Sequence, residues 1–147
     1  MGNKFIMKVS TSEMSNAIQS INAYDGKSRL GVEKALQDGA KHVASGAMQR
    51  VAVRSGKTKR AIKNSFSRQK LESYVKATTH NAHLIELGTK PHSLSKGAKR
   101  KIMVINGHPV SGEVMHPGTR ARPFMRPAFE AEAPNITKEI LKVVQTK

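Results

Sequence analysis

Apolar and polar positions first alternate near the start of the chain. From Lys4 to Val9, Phe5, Met7 and Val9 fall on one side and Ile6 and Lys8 on the other, a period of two that predicts a short strand. Ser12 suits a helix N-cap, with Glu13 favourably placed in the first turn. Met14, Ala17, Ile18 and Ile21 then share one helical face until Asp25-Gly26 stops the run. The longest periodic segment extends from about Ser28 to Val53. Leu36, Ala40, Val43, Ala47 and Val51 form its apolar stripe, with Lys34, Lys41, Gln49 and Arg50 off that line. This predicts an amphipathic helix of about seven turns. Gly39, Ala40, Ala44 and Ala47 make the stripe small, so its packing partner must approach closely.

Beyond Arg54 the pattern shortens. Thr58–Phe66 reads as a short helix with Ala61, Ile62 and Phe66 inward. Phe66–Gln69 and Tyr74–Thr79 suit a hairpin joined by Leu71-Glu72-Ser73. Asn81–Leu87 suits a helical turn that Gly88 ends with a left-handed cap. Thr89–Arg100 is polar, basic and rich in turn formers, which predicts a mobile loop at about 90–101. Lys101–Ile105 and Gly112–Met115 read as strands around Asn106-Gly107, a hairpin dipeptide. Pro117-Gly118 is a further turn. Pro123 and Pro127 sit where helix starts tolerate proline, beside an apolar group of Phe124, Ala128 and Phe129. Pro134 interrupts, and Ile136, Ile140, Leu141, Val143 and Val144 make a final amphipathic helix. The order predicts an α+β fold: long N-terminal helices packed on a small, mostly antiparallel sheet, with a C-terminal helix. A length of 147 residues fits one domain, 1–147.

Charge changes the picture more than composition does. Lys and Arg number 26 against 10 Asp and Glu, a net charge of +16. A balance this basic points to an acidic partner, either nucleic acid or an acidic protein surface. Apolar residues are 37% of the chain, below the usual share of about 45–50%. The absence of Cys excludes disulfides, thiolate metal sites and a cysteine nucleophile. No apolar run approaches the ~18–20 residues of a membrane span, so no membrane partner is expected. Met1–Ser10 lacks the apolar core of a secretory leader, so a reducing compartment or release by lysis is expected.

Candidate chemistry is sparse. Ser55-Gly56-Lys57-Thr58 contains the end of a phosphate-binding loop, but Val51 stands where the motif needs its first Gly, and a helix rather than a strand precedes it. It reads as a basic turn after a helix. His80, His83 and Glu86 have a spacing that lets a helix turn them to one side for a metal, though polar surface histidines beside a structural Glu fit the pattern better. Glu130 and Glu132 point to different helix faces. The expectation is a protein that is not an enzyme and takes no cofactor or metal. From Arg54 to Lys70 there are seven basic residues and no acid, namely Arg54, Lys57, Lys59, Arg60, Lys63, Arg68 and Lys70. With Lys96, Lys99, Arg100 and Lys101 of the loop, Arg54, Lys57, Lys59 and Arg60 form the candidate interface. Whether these cations meet DNA or acidic protein stays open. Aromatic residues are not interleaved with them as in single-strand binders.

Two stretches stand out together: His83-Leu84-Ile85-Glu86-Leu87-Gly88-Thr89, and His116-Pro117-Gly118-Thr119-Arg120-Ala121-Arg122-Pro123-Phe124-Met125-Arg126-Pro127-Ala128. With the turn Arg54-Ser55-Gly56-Lys57-Thr58-Lys59-Arg60 after the long helix, they resemble the tail-completion, or tail-to-head joining, proteins of long-tailed phages. Thr58 stands where that family usually has Leu, Leu87 where Phe is common, and Pro134 interrupts what is often one helix. The resemblance implies a structural virion protein at the head–tail junction, present in the host cytoplasm during assembly. It implies a ring, expected to be hexameric, around the DNA path, contacting the head-closure protein and the tail tube or tail terminator. The motif residues Gly56, Glu86, Gly88, Thr89, Pro117, Gly118, Arg122, Pro123, Phe124, Arg126 and Pro127 read as scaffold. Glu86, an acid among many bases, is expected to pair with Arg122 or Arg126. The alternative reading is a small basic nucleic-acid-binding protein without sequence preference.

Overall fold

The computed structural model describes residues 5–9, 26–94 and 102–145. The predicted helix from Ser12 to Ile21 and the cations Lys96, Lys99, Arg100 and Lys101 lie outside these residues. The elements run β1 (Phe5–Val9), α1 (Gly26–Arg50), α2 (Lys57–Arg60), β2 (Ile62–Ser67), β3 (Glu72–Ala77), α3 (Ala82–Leu87), β4 (His92–Ser93), β5 (Ile102–Ile105), β6 (His108–Ser111), β7 (Met115–His116) and α4 (Met125–Gln145). The fold is α+β, with a long N-terminal helix, small antiparallel sheets and a C-terminal helix.

The core lies between α1, α4 and a three-stranded sheet of order β1-β3-β2, antiparallel throughout. The stripe read from the sequence is the buried one: Leu36, Ala40, Val43, Ala44, Ala47 and Val51 are all interior. From the sheet, Ile62, Val75 and Ala77 meet them. Ile62 lies opposite Ala77 in the register, and residues two apart along β3 share that inner face.

Helix α4 runs antiparallel to α1, and three glycines set their closeness. Gly31 abuts Val143, Gly39 abuts Ile136 and Gly46 abuts Ala128. A Cβ on Gly31 would sit 2.6 Å from Val143 Cγ1, and one on Gly39 would overlap Ile136 outright. The small stripe is therefore the seat of α4. Pro134 does not interrupt that helix. A mid-helix proline removes one backbone bond, at about 3 kcal/mol. Met125 and Ala128 before it, and Ile136 and Ile140 after it, are buried against the same core and hold the two halves in line.

Two further predictions change. Helix α2 ends at Arg60, and Ile62–Ser67 is a strand rather than its continuation. Pairing with β3 satisfies the backbone and buries Ile62 opposite Ala77, which one more turn of isolated helix would not do. The connection is the turn through Leu71, which takes φ 52° and is nonetheless buried, while Glu72 and Ser73 already belong to β3. Around Asn106-Gly107 the second strand begins at His108 rather than Gly112. Both turn residues take positive φ, so Ile105 pairs directly with His108. The run expected as a loop forms a ladder at its start: Thr89 bridges Thr119, and β4 pairs with β7 in the same register.

Candidate functional site

Helix α4 opens on Phe124-Met125-Arg126-Pro127, with no Ser, Thr, Asp or Asn to cap it and no acid in its first turn. Its free N–H groups need an acceptor from elsewhere. Glu86 on α3 supplies it. Oε2 accepts from the backbone N–H of Phe124 at 2.8 Å and of Met125 at 2.9 Å, and Oε1 accepts from Arg126 N–H at 2.9 Å. Glu86 is 3% exposed. Its charge lies at the positive end of the helix dipole, where anions are stabilised.

This corrects the expected ion pair. Glu86 holds the backbone of Arg126, not its guanidinium. The Arg126 side chain is exposed and donates to Glu130 at 2.7 Å, which raises its pKa above the ordinary arginine value. The Arg122 side chain is exposed too, and its backbone N–H donates to the Ile85 carbonyl at 2.8 Å. With both carboxylate oxygens engaged, Glu86 is turned to α4 rather than to His80 and His83, whose rings meet edge to face.

The remaining motif residues gather around this clamp. Thr89 and Thr119 exchange backbone hydrogen bonds at 2.9 and 3.0 Å. Gly88 ends α3 at φ 72° and ψ −175°, which is not the left-handed cap expected but an extended conformation at positive φ open essentially to glycine alone. A Cβ there would lie 2.5 Å from the Thr119 carbonyl oxygen. Gly118 faces Thr89 across the same ladder. Phe124 is fully buried, as the sequence suggested, and Pro117 and Pro123 are exposed on the irregular segment between β7 and α4. The two motif stretches thus fold onto each other. Pro127 lies within the first turn of α4, half-buried.

Gly56 stands apart from this group. It has φ 71° and lies between α1 and the single turn α2, which it caps at the N-terminus. Arg60 folds back to the Ser55 carbonyl. All seven bases of the stretch around it are exposed, and one of them is paired. The Arg68 Nε donates to the buried Glu33 at 3.0 Å, and Arg29 flanks the same carboxylate at 3.5 Å. No described carboxylate lies within 4.0 Å of Arg54, Lys57, Lys59, Arg60, Lys63 or Lys70.

The register carries that basic surface onto the sheet. Lys63 of β2 lies directly opposite Lys76 of β3, and Ser65 opposite Tyr74. Alternation puts these four on the outer face, away from Ile62, Val75 and Ala77. Lys76 leans over the Tyr74 ring, 5.2 Å from its centroid, and the Tyr74 hydroxyl donates to Glu72. Sequence reading missed Lys76; its signal was the strand alternation around Tyr74, which sets Lys76 on the same side. The groove between α1 and α4, about 640 Å³, is different in character. There Asp38 pairs with Lys41, Glu132 with His42, and Glu139 with Lys142, while Lys34 and Lys138 line it without a described carboxylate within 4.0 Å.

No helix among the described residues is long and apolar enough to cross a membrane. Comparison with family models, with curated proteins and with solved structures gave no match.

Proposed function

We propose that this chain is a structural virion protein that completes the tail of a long-tailed phage and joins it to the head-closure ring. The observation that supports this reading is the mutual dependence of the two motif stretches. His83–Thr89 and His116–Ala128 lie about thirty residues apart, yet Glu86 caps α4, Thr89 pairs with Thr119, and Gly88 packs on the Thr119–Ala121 backbone before α4. The residues of these two stretches are therefore tied to one another. That is what a scaffold signature requires, and it leaves the outer surfaces to make contacts.

In this reading the function is binding, without a chemical step. Copies assemble into a ring, expected to be hexameric, through a head-to-tail interface that closes on itself. One rim meets the head-closure protein, the other the tail tube or terminator, and the genome passes through the lumen. The exposed cations steer encounter with acidic neighbours or with DNA.

Gold-antibody labelling of phage particles tests this. Label at the head–tail junction of complete particles and on free tails, with none on tail-less heads, supports tail completion. Label on tail-less heads moves the protein to the head side. Absence of label from every particle refutes the structural reading. The second reading, a basic protein that binds nucleic acid without sequence preference, is favoured by one observation: the exposed cations of α2 and β2 have no described carboxylate beside them.

A further inference from the structure

The outer face of the three-stranded sheet carries an unusual pairing. Lys63 and Lys76 face each other directly across an antiparallel pair. Directly opposed residues have Cβ atoms about 4.5–5.5 Å apart, and like charges there destabilise the sheet. No described carboxylate within salt-bridge distance relieves either lysine. The one acid on this face among the described residues, Glu72, accepts from the Tyr74 hydroxyl. At the start of β2, the turn α2 adds exposed Lys57, Lys59 and Arg60. Elsewhere on the described surface, Asp38, Glu130 and Glu139 each stand beside a base, and cations without a carboxylate, such as Lys34 and Lys138, have no like charge held directly opposite on a strand.

We propose that this face, Lys63, Ser65 and Lys76 with the flanking Lys57, Lys59 and Arg60, binds the phosphate backbone of double-stranded DNA. Three features select that partner. Lys and Ser are depleted from the cores of protein interfaces, which rely on aromatic and Arg anchors. Lysines with small hydroxyl side chains are instead the usual donors to phosphates. A duplex also presents a dense line of negative charge to such a face, about one per 1.7 Å of axis. Single strands need exposed aromatic platforms, whereas Tyr74 is half-buried, bonded to Glu72 and covered by Lys76. The inference does not rest on the tail-completion reading, because it concerns a surface of the free chain.

The test uses the purified full chain and a fluorescent 24-base-pair duplex, with anisotropy read from about 50 to 200 mM salt. The face variant is Lys57→Gln, Lys59→Gln, Lys63→Gln and Lys76→Gln together. A control of equal charge removes exposed Lys27, Lys34, Lys41 and Lys138 of α1 and α4 in the same way. Each lost phosphate contact lowers the slope of log affinity against log salt by about 0.9, so the face variant should lose about 3.6. The affinity gap between wild type and variant then closes about a hundredfold across that fourfold change in salt. The control should keep the wild-type slope. Equal losses in both variants would overturn the proposal, as would no loss in the face variant. Tighter binding of a single strand of equal length would overturn the duplex assignment. Polyglutamate displacing the duplex charge for charge, with the same dependence on these lysines, would assign the face to an acidic protein instead. If the fourfold variant melts below wild type, the threefold variant that retains Lys76 is used, with an expected loss of about 2.7. Particle labelling bears on the tail reading alone, so the two ideas fail separately.

Discussion

Replacing Glu86 by Gln keeps the shape of the side chain and removes its charge. The amide oxygen can still accept from Phe124 and Met125 N–H, as Oε2 does now. The amide nitrogen then faces Arg126 N–H, donor against donor, where Oε1 accepts at 2.9 Å. Hydrogen bonds to a charged group contribute about 1.5–3 kcal/mol and neutral ones about 0.5–1.5, so the two retained bonds each lose about 1 kcal/mol. An orphaned buried donor costs about 1–3 kcal/mol more. Because Arg126 N–H is only partly buried, water offsets some of that, and the expected loss is about 2–4 kcal/mol. For a chain near this length each kcal/mol lowers Tm by about 2–4 °C, so the variant should melt about 5–15 °C below wild type. Urea unfolding gives the free energy and thermal melting the Tm. A Gln variant within about 1 kcal/mol of wild type would refute the clamp. Arg122→Gln and Arg126→Gln are the informative partners. Their guanidinium groups do not bond Glu86, so each variant should melt close to wild type. A double-mutant cycle between position 86 and either arginine should then show little coupling. Strong coupling would restore the ion pair that the sequence suggested.

Along the α1–α4 seam, Gly39→Ala should destabilise by about 1–3 kcal/mol through overpacking against Ile136, and combined with Ile136→Ala it should cost less in urea melts than the sum of the two single losses. Gly46→Ala should be neutral or stabilising by up to about 1 kcal/mol, because its Cβ meets Ala128 at 3.4 Å and otherwise only the flexible end of Arg50; a large loss would mean that the helices lie closer than described. Lys63→Thr should raise stability at low salt by about 0.2–1 kcal/mol through relief of the repulsion with Lys76, a gain that shrinks as salt is added. The hydrogen bond from Lys142 holds the Glu139 carboxyl below the ordinary carboxylate pKa. Its small contribution is therefore present above the unfolded carboxylate pKa and lost as pH falls through the lowered value. Side-chain NMR should follow that lowered titration, and Lys142→Ala should return it to the ordinary range.

What could be read from the sequence follows from the reach of each interaction. The α1 stripe was legible because helical period and small residues are local, and Gly39 among alanines already implied a close partner. The start of α4 was not. Its first turn offers no cap of its own, and the acceptor is a carboxylate 38 residues upstream of Phe124. Sequence reading singled out Glu86 for its rarity but matched it to the nearest opposite charges, since backbone donors leave no mark in a sequence. β2 was misread for a related reason. Ile62 and Phe66 fit a helix as well as a strand in isolation, and only β3 decides between them. Pro134 carried a strong local signal, yet packing of Ile136 and Ile140 outweighed one missing hydrogen bond.

The clamp also fixes how the segment between the motifs leaves the core. Thr89↔Thr119, His92↔His116 and Ser93↔Met115 share a single register, and that ladder begins where Gly88 and Gly118 press against the opposing backbone. A side chain at either glycine would push the two strands apart at their root, with Phe124 and the Glu86 clamp just behind. The outer face of β2 and β3 lies on other elements and makes none of these contacts. Damage to the clamp should therefore lower Tm, and duplex binding would fall only as the chain unfolds. Removal of Lys63 and Lys76 should weaken binding and leave Tm unchanged or higher. Sorting variants on those two axes separates the residues that tie the two motif stretches together from the residues that meet a partner.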